Sequence, residues 1–328
     1  MGKYFFRHIK TVYLFGMVFC ALPSPVWSWG FFAHKHINRY AITTLPPAMF
    51  AFYKTHLRFL TEKSVNPDKR RYVVKDEASK HFIDVEIYRS SLVDRQKLLL
   101  SQAVATYGHK ILETHGSLPW AILDVHKALT TAFKDKDIAK ILKLSADLGH
   151  YVADAHVPLH TTQNYNGQIT SQEGIHALWE TRLPLLFFDT YNLFVGQAIY
   201  IEDPLTHIWN IVLQSHALVD KVLALEKQLS LTYPAIEKYS FEQDSNLLKK
   251  QYALAFATAY HQALQGQVEE RLKQSIIEVG NFWLTAWVNA GSPNLNDIRI
   301  KLPMQDEEDK LLQEGIILKG IRGCGEEK

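Results

Sequence analysis

Two His-x3-carboxylate pairs carry most of the chemical potential of this chain. His150 and Asp154 open the run His150-Tyr-Val-Ala-Asp-Ala-His-Val-Pro-Leu-His160, and His176 with Glu180 repeats the spacing sixteen residues after His160. Residues four apart share a helix face, so each pair presents an imidazole beside a carboxylate. Pro158 stops the first helix just short of His160. Imidazole nitrogen and carboxylate oxygen are the usual zinc donors where thiolate is absent. One such pair is most often a surface ion pair or a satisfied side chain. Two pairs with a further histidine between them point to a cradle for divalent metal.

The N-terminus adds a conditional ligand. Lys3, Arg7 and Lys10 precede an apolar stretch from Val12 to Leu22, and Val26-Trp-Ser28 fits a signal-peptidase site, so residues 1–28 read as a secretory signal. The apolar stretch is well short of the roughly 20 residues a membrane span needs, which weighs against the alternative of a short anchor. Cys20 suggests a lipoprotein, but Phe19 stands where a small residue should precede a lipidated cysteine. A soluble secreted or periplasmic protein is therefore expected, with no transmembrane segment after processing. Cleavage between Ser28 and Trp29 would free an α-amine with a pKa of roughly 7.7–8, low enough to yield its proton to a metal. Amine and carbonyl of Trp29 can then chelate one ion, with His34 in reach five residues on. Export and metal loading would be coupled.

Together these residues follow an ordered pattern: Trp29, His34, Asp68, His81, His150, Asp154, His160, His176 and Glu180. In this the chain resembles the zinc-dependent phospholipase C and single-strand-specific nuclease superfamily, secreted helical enzymes that hold three zinc ions in a cleft. The match spans about 150 residues at nine positions in order; the C-terminal half adds no motif. The resemblance implies that Asp68, His81, His150 and Asp154 hold one zinc ion and that His160, His176 and Glu180 hold a second. Trp29 and His34 would hold the third, with Asp154 bridging to the first. Asp76 competes with Asp68, although the turn chemistry of Asn66-Pro67-Asp68 favours Asp68. His36 competes with His34. His156, two residues past Asp154, faces elsewhere on a helix and reads as a supporting or structural side chain.

Three zinc ions outweigh the carboxylates of Asp68, Asp154 and Glu180, so the cleft would be positive and a phosphodiester its natural guest. Divalent metal lowers the pKa of water to roughly 7, and paired ions steady attacking and departing oxygens. No side-chain nucleophile is needed, and no Gly-x-Ser-x-Gly elbow, phosphate-binding glycine loop or His-Glu-x-x-His helix occurs. The candidates for catalysis are Asp68, Arg71 and Asp154. Some nucleases of the superfamily carry a basic residue at the offset of Arg71, whose planar fork suits a phosphate oxyanion; the competing reading is a solvated run, Lys69-Arg70-Arg71. Phe82 and Asp84, just after His81, are the candidates for substrate binding, with core packing an equal role for Phe82.

The elements that must position these residues are helices. Ile138, Ile141, Leu142, Ser145, Leu148 and Val152 mark one stripe, while Lys143, Asp147, His150 and Asp154 trace another face of the same helix. Residues 91–115, 121–133, 205–229 and 246–290 carry helical periodicity, with Gly116 and Pro119 marking a break. No sustained two-residue alternation and no internal repeat appears. The expected fold is all-α, a single domain of packed helices over residues 29–304 with a trinuclear zinc cleft, followed by a tail at 305–328. Trp283 and Trp287 read as core anchors. His109, His115, His126, His207, His216 and His261 fit no ligand pattern and read as structural.

Composition bounds the function. The chain is 47% hydrophobic, ordinary for a globular domain. Removing residues 1–28 takes three basic residues and no acid, leaving 33 Lys and Arg against 34 Asp and Glu, a net charge of −1. That disfavours bulk electrostatic binding to duplex nucleic acid. Of the two cysteines, Cys20 leaves with the signal, so the mature chain has no intramolecular disulfide and would draw stability from its core and bound zinc. The expected function is a secreted zinc phosphodiesterase acting on phospholipid or single-stranded nucleic acid, with no stable protein partner implied. Glu180 and the Phe31-Phe32 pair favour the phospholipase C side, Arg71 the nuclease side. A non-catalytic exported zinc-binding protein is the alternative from another class, though a store needs neither a bridging carboxylate nor an N-terminal chelate.

Overall fold

Several helices start at a proline or a capping carboxylate: Pro47, Pro67, Pro119 and Pro204 lie in first turns, and Asp137 and Asp203 accept from amides of the helices they precede. In the computed structural model, which describes residues 29–88, 98–244 and 247–295, the first half runs α1 (Trp29–Ala41), α2 (Pro47–Thr55), α3 (Leu57–Lys63), α4 (Asn66–Arg70), α5 (Val85–Tyr88), α6 (Leu100–Tyr107), α7 (His109–His115), α8 (Leu118–Lys134) and α9 (Ile138–Asp154). The second half runs α10 (Ile175–Ala177), a π-helical turn (Leu178–Arg182), α11 (Leu183–Phe187), α12 (Pro204–His216), α13 (Val219–Ser230), α14 (Ala235–Lys238), β1 (Tyr239–Asp244), β2 (Leu247–Tyr252), α15 (Leu254–Ala263) and α16 (Gln267–Asn289). The expected signal at 1–28 and tail at 305–328 lie outside the described residues, as do residues 91–97 of the stretch expected to be helical from 91.

The stripe read over 138–152 is the spine of the molecule. The Asp137 carboxylate caps α9 by accepting from the Lys140 amide at 3.1 Å. Every residue from Ser145 to Asp154 is buried, because α9 packs against α8, α16, α1 and α3 at once. Trp283 of α16 fills this centre, its ring 4.9 Å from that of Tyr53 and its Nε1 donating to the Ser145 carbonyl at 3.0 Å. Trp287 is partly buried against the same core and donates to the Pro293 carbonyl, closing the end of α16. Close approach of α1 to α9 depends on Gly149, where a Cβ atom would lie 2.2 Å from Asn38 Oδ1. One continuous hydrophobic core runs from Ala33 to Leu295, so the described residues form a single, mostly helical domain.

The helical readings need three corrections. The described part of 91–115 forms two helices, α6 and α7, separated at Gly108. Residues 205–229 form two helices, α12 and α13, separated at Ala217 and Leu218. Residues 246–290 begin with a strand. β2 pairs antiparallel with β1, Tyr239 facing Tyr252 and Phe241 facing Lys250, so the fold is not strictly all-α. Tertiary packing explains the hairpin: Tyr239, Tyr252 and Phe256 surround the Lys238 ammonium at 5.4–5.5 Å, and that ammonium pairs with buried Glu226 at 2.7 Å. Among the described residues, no helix is long and apolar enough to cross a membrane.

Candidate metal centre

The last turn of α9 is the hub. Asp154 Oδ2 lies 3.0 Å from His81 Nδ1 and 3.3 Å from His150 Nε2, while Oδ1 lies 3.3 Å from His34 Nε2 and 3.5 Å from His160 Nδ1. α1 delivers His34, the first turn of α4 delivers Asp68, and the short 3-10 segment Ala78–His81 delivers His81. Asp68 Oδ1 is 3.6 Å from both His81 Nδ1 and His150 Nε2. His34 and His150 stack with ring centroids 3.8 Å apart. Pro158 ends the turn after α9 and starts the 3-10 segment Pro158–Thr161 that carries His160.

His176 and Glu180 form a second group on a different backbone. Gly174 takes the left-handed conformation (φ 94°), α10 supplies His176, and the π-helical turn supplies Glu180. Glu180 Oε2 contacts His176 Nε2 and lies 3.2 Å from His160 Nε2. His160 therefore touches both groups, Asp154 through one ring nitrogen and Glu180 through the other. Donor atoms converge within 4.8 Å in three buried sets: His34, His150 and Asp154; Asp68, His81 and His150; His160, His176 and Glu180. These sets could hold metal ions.

The donor chemistry fits cations. His150 Nδ1 donates to the Ser64 carbonyl at 2.8 Å, which turns Nε2 toward the hub. His150 Nε2 and His81 Nδ1 are 3.0 Å apart, and ring nitrogens this close must share a proton or a cation, since two lone pairs repel. Asp68 Oδ2 is shut off from solvent and accepts no hydrogen bond. Electrostatics follow the same layout. Burial lowers the affinity of His81 for a proton and Arg71 lowers it further, to a pKa of about 4. Burial acts the same way on His150, but Asp154 and Asp68 outweigh it and raise the group to about 9. Burial resists charge on Asp154 and Glu180 too; their histidine neighbours nevertheless hold both carboxyls well below the usual range.

A buried charge network holds together the two segments that carry candidate metal ligands. Arg70 reaches Asp147 at 3.0 Å and Glu77 at 3.2 Å, and the Tyr151 hydroxyl donates to Glu77. Arg70 and Glu77 lie within the segment from Asp68 to His81, whereas Asp147 and Tyr151 belong to α9. Arg70 brings Glu77 down to a pKa of about 2 against the opposing effect of burial. On the far side, Arg271 of α16 donates to the His156 carbonyl at 2.9 Å and fixes the turn between Asp154 and His160.

Eight of the nine expected ligand residues are thus brought together. Trp29 opens α1, but its side chain lies outside the described residues. Arg71 is 1% exposed with Nη1 3.5 Å from Asp68 Oδ1, and Arg70 is 4% exposed, so the basic run is not solvated beyond Lys69. Phe82 is buried, and Asp84 accepts from His115 Nδ1 at 3.0 Å; neither falls in a metal-capable set. His36 turns to Phe32 and Phe188, away from the hub. His156 is buried and donates through Nδ1 to the Val152 carbonyl, in keeping with a structural role. His115, His207 and His216 have Asp84, Glu278 and the Thr161 carbonyl as partners. His109 departs from the structural reading: with Asp76 and Glu113 it forms a fourth convergent set. The sequence held one signal for it, the i, i+4 spacing of His109 and Glu113. No protein-family model matches the chain, and no curated protein matches it, so the superfamily resemblance rests on the residues described above.

Proposed function

We propose that this chain is an exported zinc-dependent phosphodiesterase, phospholipase C-like in its substrate. The convergence of donors on Asp154 carries the reading: four histidines from four segments lie within 3.5 Å of one buried carboxylate. An ion pair needs one partner, and a zinc store needs no such bridging group. In this proposal His34, Asp68, His81, His150, Asp154, His160, His176 and Glu180 hold three zinc ions, completed by the Trp29 amine and carbonyl once residues 1–28 are removed. Zinc, when bound, supplies Lewis acidity and activates water for attack on phosphorus. The chain's own groups do the rest. Ser64 fixes the His150 tautomer, Asp154 ties the sets together, and Arg71 beside Asp68 is placed to orient a phosphate oxygen through its planar fork.

Glu180 and the apolar residues beside the hub support a lipid. Phe32 is engaged with Phe188 at 5.1 Å, which leaves Phe31, under the Lys69 ammonium at 5.5 Å, as the residue of that pair to meet an acyl chain. The nuclease alternative is favoured by one observation, the buried Arg71 guanidinium next to Asp68. Turnover of short-chain phosphatidylcholine and of single-stranded DNA by one processed, zinc-loaded preparation separates them. Faster lipid turnover is expected, and faster DNA turnover reassigns the substrate. His150→Ala should abolish hydrolysis of bis-p-nitrophenyl phosphate while circular dichroism stays helical. A fully loaded protein inert toward every phosphodiester would instead be a zinc-binding protein without catalysis.

A further inference from the structure

We infer a separate divalent-cation site formed by Asp76, His109 and Glu113, where an ion clips the loop preceding His81 to α7. The three side chains each offer one donor atom, and those atoms lie within 4.8 Å of one another. They come from distant parts of the chain: His109 and Glu113 share one face of α7 at i, i+4, and Asp76 arrives from the loop after α4. Two features mark Asp76 as more than a chance neighbour. Its backbone holds the left-handed conformation (φ 63°), which a residue other than glycine seldom adopts. Its Oδ1 atom is sealed from solvent and accepts no hydrogen bond, and a buried carboxylate oxygen without a donor is costly unless a cation compensates it.

The mixed donor set defines the ligand class. One imidazole and two carboxylates suit a borderline divalent ion of the zinc or manganese type, with water completing the coordination. His109 and Glu113 are exposed, so the ion should exchange more readily than one held among fully buried donors. The consequence is local. Asp76 sits between Arg71 and His81, and closing this loop onto α7 restricts the segment that presents both residues to the hub. Binding here does not depend on the phosphodiesterase reading, because His109 itself reports it.

The test uses the processed full chain, stripped of metal, labelled with 15N-histidine and titrated with zinc. After the buried sets fill, the His109 ring resonances are expected to shift over a further zinc equivalent. Hydrogen exchange over residues 72–80 should slow in the same step. The double variant His109→Ala/Glu113→Gln should lose one zinc equivalent and the exchange protection while keeping the buried sets loaded. Asp76→Asn, nearly isosteric, gives the same comparison should the double variant fold poorly. A His109 resonance unmoved by millimolar zinc, or an undiminished zinc count in Asp76→Asn, overturns the site. Loss of zinc from the buried sets with the His109 response intact would instead count against the proposed function and leave this site standing.

Discussion

The two His-x3-carboxylate pairs have the same spacing and different jobs. His150 and Asp154 end a 17-residue helix whose last ten residues are all buried, and Asp154 contacts histidines from α1, the 3-10 segment before Phe82, α9 and the turn after it. His176 and Glu180 sit on a three-residue helical turn running into a π turn, and Glu180 contacts its own histidine and His160 among the candidate ligands. π turns are short, locally strained insertions that recur at functional sites. The first pair is thus welded to the core and shared among sets, whereas the second is a local clip. Identical spacing in sequence says that two side chains share a face; the surrounding packing decides how much hangs on them.

Asp154→Asn should break this comparison most sharply. Losing the shared carboxylate removes a donor from the hub as a whole, so zinc content should fall across the buried sets. On the proposed phosphodiesterase reading, hydrolysis should drop by about a thousandfold or more, equivalent to several kcal/mol of transition-state stabilisation. Glu180→Gln should lower zinc content only at the His160/His176 set. Metal analysis of both proteins checks the contrast. Equal losses in the two variants would show that the pairs are not hub and clip.

Next in size is the support under the hub. Arg70→Met leaves buried Asp147 without its guanidinium partner and Glu77 with Lys80 alone, and breaking a buried pair this way costs about 3–5 kcal/mol. Urea unfolding of the metal-free chain measures it directly, apart from any zinc contribution. An effect under about 1 kcal/mol would place Arg70 with ordinary surface pairs. It would also remove the network as the tie between α9 and the Asp68–His81 loop.

The contrast between legible and illegible features follows the same division. The α9 stripe, both pairs and the burial of Trp283 were readable because their determinants lie within one turn or one helix of each other. Arg70 was not: within the chain it reads as the middle of Lys69-Arg70-Arg71, and its partners Asp147 and Tyr151 arrive from α9, with Glu77 folding back from seven residues on. The hairpin was missed for a related reason. Tyr239 and Tyr252 are paired by a lysine and a phenylalanine outside the strands, and Phe241 and Leu248 are exposed, so no apolar alternation marks it. His109 escaped notice because its third partner, Asp76, lies in a loop whose path the sequence does not state.

A smaller effect is expected where α1 meets α9. In Gly149→Ala the new methyl would meet Asn38 Oδ1, and Asn38 Nδ2 donates to the His34 carbonyl at 3.2 Å. The clash should cost about 1–3 kcal/mol, as overpacking of a tight core does. It should also weaken zinc at the set containing His34 before it affects His176. The Asn38→Ala second-site change should relieve much of the cost. No relief would mean that the strain lies in the α9 backbone and not at the α1 contact.

The smallest change tests the local character of the second pair. Arg182, at the end of the π turn, pairs with Glu242 of β1, whose side chain is 44% exposed. An ion pair so open to water is screened, and Arg182→Gln should lower stability by less than about 1 kcal/mol. Its effect on zinc should nonetheless be selective. The hairpin contact braces the turn that presents Glu180, so zinc at the His160/His176 set should exchange faster while the Asp154 hub is unchanged. High salt should reproduce the faster exchange in the unaltered protein, because it screens the same pair. Uniform acceleration at all buried sets would mean that the π turn is coupled to the hub through His160, and the clip would have to be redrawn as part of one cooperative centre.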